Sequence, residues 1–162
     1  MTDFLIEQLV KKNATAKDNL KKTGLFLVTA LSVLLVFIIP YAVWVTMILV
    51  IVDYILIRRM DVEYEYIYYN GDLDIDKIMN KESRKRVFST KMEDVIVIAP
   101  SGTQEVLGYE ILKAIDLSTC TPGNKTYELV TTFKGEKVRV IFEPNEKMLE
   151  AMKNDAPRKV HF

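Results

Sequence analysis

The stretch VFIIPYAVW, residues 36–44, decides the fold. It lies in the middle of an apolar run, LFLVTALSVLLVFIIPYAVWVTMILVIVDYILI, residues 25–57. As one helix this run would be about 50 Å long at about 1.5 Å per residue. The hydrocarbon core of a bilayer is about 30 Å thick. Fitting a single helix would need a tilt beyond about 50°, outside the usual range of about 0–40°. Split at Pro40, the halves measure about 23 and 26 Å. Snorkelling Lys22 and Arg58 make up the shortfall.

Charge argues the same way. Lys17, Lys21 and Lys22 precede the run, and Arg58 and Arg59 follow it. Cytoplasmic flanks of membrane helices carry the Lys/Arg excess. A single crossing puts one cluster on the wrong side, whereas a hairpin puts both on the cytoplasmic side. Tyr41 and Trp44 flank the proline, and such aromatics favour the membrane interface. The expectation is a transmembrane hairpin over 23–59, with helices over 23–39 and 42–59 turning at Pro40–Tyr41. A long kinked span and a re-entrant or buried soluble hairpin are the alternatives. A cleaved signal peptide is excluded, because the apolar core is too long and no small-residue cleavage site follows it. Asp53 is the one charge in the run. It reads as an interfacial carboxylate that snorkels or pairs with Lys21 or Lys22. An oligomer contact or a proton-carrying site is the other reading.

Residues 1–22 read as an arm and linker. TDFLIEQLVKK suits a short amphipathic helix capped at Thr2 or Asp3, with Phe4, Leu5, Leu9 and Val10 on one face. NATAKDN follows as a linker.

From Asp61 the hydrophobic period changes to two. VEYEYIYY (62–69) puts Val62, Tyr64, Tyr66 and Tyr68 on one face. Asn70-Gly71 then signals a tight hairpin, pairing Tyr68 with Leu73 and Tyr66 with Ile75. Glu65 would oppose Asp76, and a bulge near Lys77 would relieve the repulsion. NKESRKR reads as a polar turn, RVFST (86–90) as a third strand and VIVIA (95–99) as a buried one. SGTQEVLGYE reads as an irregular connection and ILKAIDLS as a fifth strand. TYELVTTF–KGE–KVRVIFE is a second hairpin. PNEKMLEAMKND closes as a helix, with Pro144 at its first position and Met148, Leu149 and Met152 on its apolar stripe. The sum is about seven antiparallel strands and a C-terminal helix over 61–156, then a tail at 157–162.

That order resembles a pleckstrin-homology-like (PH-like) domain. The segment YEYIYYNGDLDIDKIMNKESRKRV is similar to the usual opening of bacterial membrane proteins with such domains. With its E-Q-L-V-K-K arm, V-E-Y-E-Y and G-D-L-D-I-D-K-I, the whole chain resembles an uncharacterised family of small bacterial two-helix membrane proteins. The resemblance implies a membrane hairpin carrying a cytoplasmic, mostly-β PH-like domain, and no established activity.

Composition narrows the function. Lys+Arg and Asp+Glu are 22 each, so the net charge is zero, which argues against nucleic acid as a partner. One Cys, Cys120, and one His, His161, cannot supply a zinc site. No Walker, G-x-G-x-x-G or G-x-S-x-G pattern occurs. Asp72, Asp74 and Asp76 share one strand face, which is more often wet surface than a cation site. The basic stretch Lys81, Arg84, Lys85, Arg86 is the candidate contact for anionic lipid headgroups or a protein partner; its bland reading is a solvated turn. The expectation is a non-enzymatic, membrane-anchored binding or scaffolding module without cofactor. An accessory subunit of a larger transport or secretion complex is the alternative, and an enzyme without a recognisable motif the third reading.

Overall fold

The computed structural model describes residues 5–162. Its elements run β1 (Ile6–Lys11), α1 (Ala16–Val36), α2 (Ala42–Arg58), β2 (Val62–Tyr69), β3 (Asp72–Met79), β4 (Ser83–Lys91), β5 (Val95–Pro100), α3 (Gln104–Leu107), β6 (Lys113–Asp116), β7 (Tyr127–Phe133), β8 (Glu136–Phe142) and α4 (Glu146–Asp155). The strands form two four-stranded sheets, ordered β1-β2-β3-β4 and β5-β7-β8-β6.

Two tight turns fix register where the sequence signals them. Asn70 and Gly71 hold φ of 48° and 83°, as a type I′ turn requires. Tyr68 accordingly pairs with Leu73 and Tyr66 with Ile75. Lys134 and Gly135 repeat the conformation at 53° and 83°, joining β7 to β8. The inward faces of both sheets, with Met148, Leu149 and Met152 of α4, make one core. Tyr66 links the sheets. Its hydroxyl donates to Leu117 O at 2.7 Å and accepts from the Glu143 N–H at 3.3 Å.

The amphipathic helix expected near the N-terminus is instead strand β1. It runs antiparallel to β2, from Ile6 opposite Tyr68 to Lys11 opposite Glu63. IEQLVK satisfies both periods locally, and the unpaired edge of β2 selects the extended form. Gln8 secures it by donating to Glu143 O at 2.8 Å and accepting from the Asn145 N–H at 2.7 Å. The expected caps Thr2 and Asp3, and Phe4, lie outside the described residues. β1 also makes the strand count eight among the described residues.

α1 begins at Ala16 rather than at 23. Thr15 and Asp18 form a capping box inside the segment read as a linker. α1 stops at Val36, and turns through Phe37–Tyr41 reverse the chain. β4 begins at Ser83, so the polar turn shrinks to 80–82. The irregularity lies at Ile75/Asp76, next to Lys77, but in the β3–β4 pairing, where Val87 is the extra residue, and not in the β2–β3 pairing that opposes Glu65 to Asp76. β6 is shorter than expected and runs parallel to β8. The crossover from β5 carries the one-turn helix α3, which covers Val97, Ala99 and Val130 with Val106, and this long connection permits the parallel entry. α4 begins at Glu146 rather than at Pro144, and Asn145 caps it, its side chain accepting from the Met148 N–H at 2.9 Å.

Candidate functional site: the helical hairpin and its root

α1 and α2 pack on each other and make only isolated contacts with the sheets. Their polarity is the reverse of a soluble helix pair. The large apolar side chains from Phe26 to Ile57 are mostly exposed. Ser32 is the one buried residue of the two helices. Polar groups line the seam. The Thr29 hydroxyl donates to Asp53 Oδ2, and Ser32 Oγ donates to Thr29 O at 2.7 Å. Thr46 Oγ1 shares its proton between Ser32 O and Ala42 O, at 3.2 and 3.1 Å. Small polar residues at an interhelical contact with aliphatic groups outside match the packing of helices in lipid. Asp53 therefore turns toward α1, and its partner is Thr29 rather than the expected Lys21 or Lys22. Among the described residues one helix, Ala16–Val36, is long and apolar enough to cross a membrane. α2 has 17 residues. Tyr41, at the turn between the helices, and Trp44, in the first turn of α2, are both exposed.

The hairpin is an insertion between two paired strands. Lys12 N donates to Val62 O at 3.0 Å, so the chain leaves the sheet and returns to it at one point. Four residues join β1 to α1 and three join α2 to β2. Both joints are held. Asn13 donates from its backbone to Thr119 O at 2.7 Å and from its side chain to Thr121 Oγ1 at 2.8 Å. The Asn80 N–H donates to Asp61 O at 2.9 Å, and Lys11 meets Asp61 at 3.1 Å. The Asp18 carboxylate accepts from the Thr15 hydroxyl at 2.8 Å and from its N–H at 3.1 Å, and lies 3.6 Å from the Lys12 ammonium. Lys17, Lys21 and Lys22 on α1, and Arg58 and Arg59 at the end of α2, ring this root. Arg58 also stacks over Tyr54, 5.1 Å from the ring centroid.

The expected basic loop is divided by the structure. Lys81 sits in the β3–β4 turn and Lys85 on β4, both exposed and without an ion-pair partner among the described residues. Arg84 and Arg86 lie on β4 and are engaged. Arg84 pairs with Glu65 and approaches Asp76 at 3.9 Å. Arg86 reaches Asp76 at 3.1 Å and Asp74 at 2.7 Å. The Asp76 hydrogen bond raises the Arg86 guanidinium above its ordinary value. These two arginines offset the Glu65–Asp76 opposition that the register imposes. They are therefore committed to a charge ladder, and so are Asp74 and Asp76. Among the described residues no cluster of three His, Cys, Asp or Glu could hold a metal ion.

A family model described as bacterial PH-like domain (DUF6106) matches residues 2–162. The chain belongs to that family. No curated protein and no solved structure matches it. The family match spans β1 and the helical hairpin as well as the two sheets and α4. Two surface cavities of this PH-like domain lie at the end away from the hairpin. One, of about 590 Å³, is lined by Asn70–Asp72, Lys91–Glu93 and Asp155–Lys159. The other, of about 730 Å³, is a groove between β1 and α4 floored by Tyr68. They meet at Asn70 and at Asp155, which accepts the Tyr68 hydroxyl proton. That hydrogen bond was not legible in the sequence, because the two residues lie 87 positions apart.

Proposed function

We infer that the protein is a non-enzymatic, membrane-anchored binding module. In this reading α1 and α2 sit in the bilayer as a two-pass anchor. Both termini lie in the cytoplasm, and the PH-like domain is presented there to a protein partner or to anionic headgroups. The observation that carries the reading is the pairing of β1 with β2 across the hairpin. Two strands of one sheet occupy one side of a membrane, so a chain folded this way crosses an even number of times. The reversed polarity of the helix pair supports the same conclusion, and the Lys/Arg excess at its root supports the cytoplasmic side. An accessory subunit docking through Asp53 has less support, since Thr29 of the same hairpin already bonds that carboxylate.

Cys120, the single cysteine, tests the placement. A membrane-impermeant maleimide is expected to label it in inverted vesicles and to spare it in intact cells. Detergent-opened cells provide the control for access, because the thiol is half-buried. Labelling in intact cells would overturn the cytoplasmic assignment.

A further inference from the structure

The two joints leave the domain no slack. Residues 12, 13, 15 and 59–61 are hydrogen-bonded to the sheets, to each other's strands or to the adjoining helix ends. The same end of the domain must therefore face whatever the hairpin enters. That end carries the β3–β4 turn, fixed to the root through Asn80 and Asp61, and the 119–125 loop, fixed through Asn13. Lys81 projects from the turn, and Lys125 follows the loop; both are exposed.

The charges at this end do not cancel. Lys21, Lys22, Arg58, Arg59, Lys81 and Lys125 have no ion-pair partner among the described residues. The acids beside them are mostly occupied. Asp18 is held by Thr15 and Lys12, and Asp61 by Lys11. Glu143 accepts from Thr119 at 2.7 Å and from Asn124 at 3.0 Å. Asp116, which accepts from Ser118 Oγ at 2.6 Å, remains without an ion-pair partner among the described residues, as do exposed Glu82 and half-buried Glu63; these three acids stand against six unpaired cations. The opposite end, at Asn70–Gly71, is eight strand residues away along β2, about 26 Å. That exceeds the screening length of about 8–10 Å at physiological salt, so only the root end feels a charged bilayer.

We propose that the hairpin end of the PH-like domain is a second membrane contact, in which Lys81 and Lys125 join the root cations in binding anionic phospholipid headgroups. This rests on the anchoring reading and adds to it. It replaces Arg84 and Arg86, whose charges are already neutralised, with cations that are free. It leaves the distal cavities open to the cytoplasm.

The full chain is reconstituted in vesicles of phosphatidylcholine, with and without phosphatidylglycerol. Lysines are acylated under single-hit conditions and read by mass spectrometry, with exposed Lys137 at the far end of β8 as internal reference. Lys81 and Lys125 should lose about threefold or more of their labelling in the anionic vesicles, and salt should restore it, while Lys137 stays constant. Flotation separates the two claims. A chain that floats with both vesicle types and labels equally in both overturns the headgroup contact alone. A chain that floats with neither overturns the anchor, and the contact with it.

Discussion

Excising the helices is the most demanding trial of the insertion geometry. Lys12 and Val62 form the next register pair after Lys11 and Glu63, with Lys12 N bonded to Val62 O at 3.0 Å. Replacing residues 13–61 by Asn-Gly therefore joins the two strands through a two-residue turn. Shortening the connection from 49 residues to two lowers loop-closure entropy by about 3 kcal/mol. The excision removes three hydrogen bonds, from Asn13 N, Asn13 Nδ2 and Asn80 N, each contributing about 0.5–1.5 kcal/mol. The Lys11–Asp61 and Lys12–Asp18 pairs add at most about 1 kcal/mol each. The opposing contributions agree to within about 3–4 kcal/mol, so the shortened domain should still fold cooperatively. It should also leave the membrane. The twelve Leu, Val, Ile and Phe residues within 25–39 favour insertion by about 4–7 kcal/mol together, and that drive is gone. Ultracentrifugation without detergent, circular dichroism and urea denaturation read the result. A shortened chain that pellets with membranes, or is soluble but unfolded, refutes the view that the hairpin is a separable insertion.

Tyr66→Phe keeps the ring against Phe142, 5.9 Å away, but strands Leu117 O and the Glu143 N–H. It should lower stability by about 1–3 kcal/mol in urea titrations, and an unchanged midpoint would show that the hydroxyl does not tie the sheets together. Gly135→Ala should destabilise by about 1–2 kcal/mol, because φ is +83° with open space around the added Cβ; Gly108→Ala, at φ −67°, should be near neutral by the same assay. Burial, followed by the neighbouring Asp116 carboxylate, raises the Cys120 thiol above its ordinary value. The thiolate fraction at a given pH is thus below that of a free thiol, and the maleimide pH–rate profile should lie at higher pH. Asp116→Asn should move it back down, and a profile matching a free thiol would contradict that environment.

Legibility in the sequence followed the range of the interaction that decides each element. The hairpin at Asn70-Gly71 is set by a dipeptide whose backbone conformation few other residues tolerate, and the second by Gly135, so both could be read locally, although the expected KGE loop is the two-residue turn Lys134-Gly135. VIVIA and the α4 stripe could be read because their apolar pattern fits one environment. β1 could not, since its partner strand begins more than fifty positions later and its six residues fit a helix equally well. The early start of α1 had a local signal, Thr15 three residues before Asp18, but the surrounding NATAKDN composition read as linker. The parallel entry of β6 carries no local mark. Of the candidate site, the root cations were visible as flanking charge. The commitment of Arg84 and Arg86 was not, because it depends on which acids the folded ladder places opposite them.

If α1 and α2 form the membrane anchor proposed above, the interrupted β1–β2 ladder bears on biogenesis. β1 is made first, yet its partner emerges only after both helices have been synthesised. Until those helices insert and reverse, β2 keeps an open edge, the kind of surface that recruits other strands. A chain that stalled after one crossing would leave β1 stranded across the lipid. In that reading, completion of the sheet doubles as a proofreading step for insertion, and misinserted chains should betray themselves to proteases at β2.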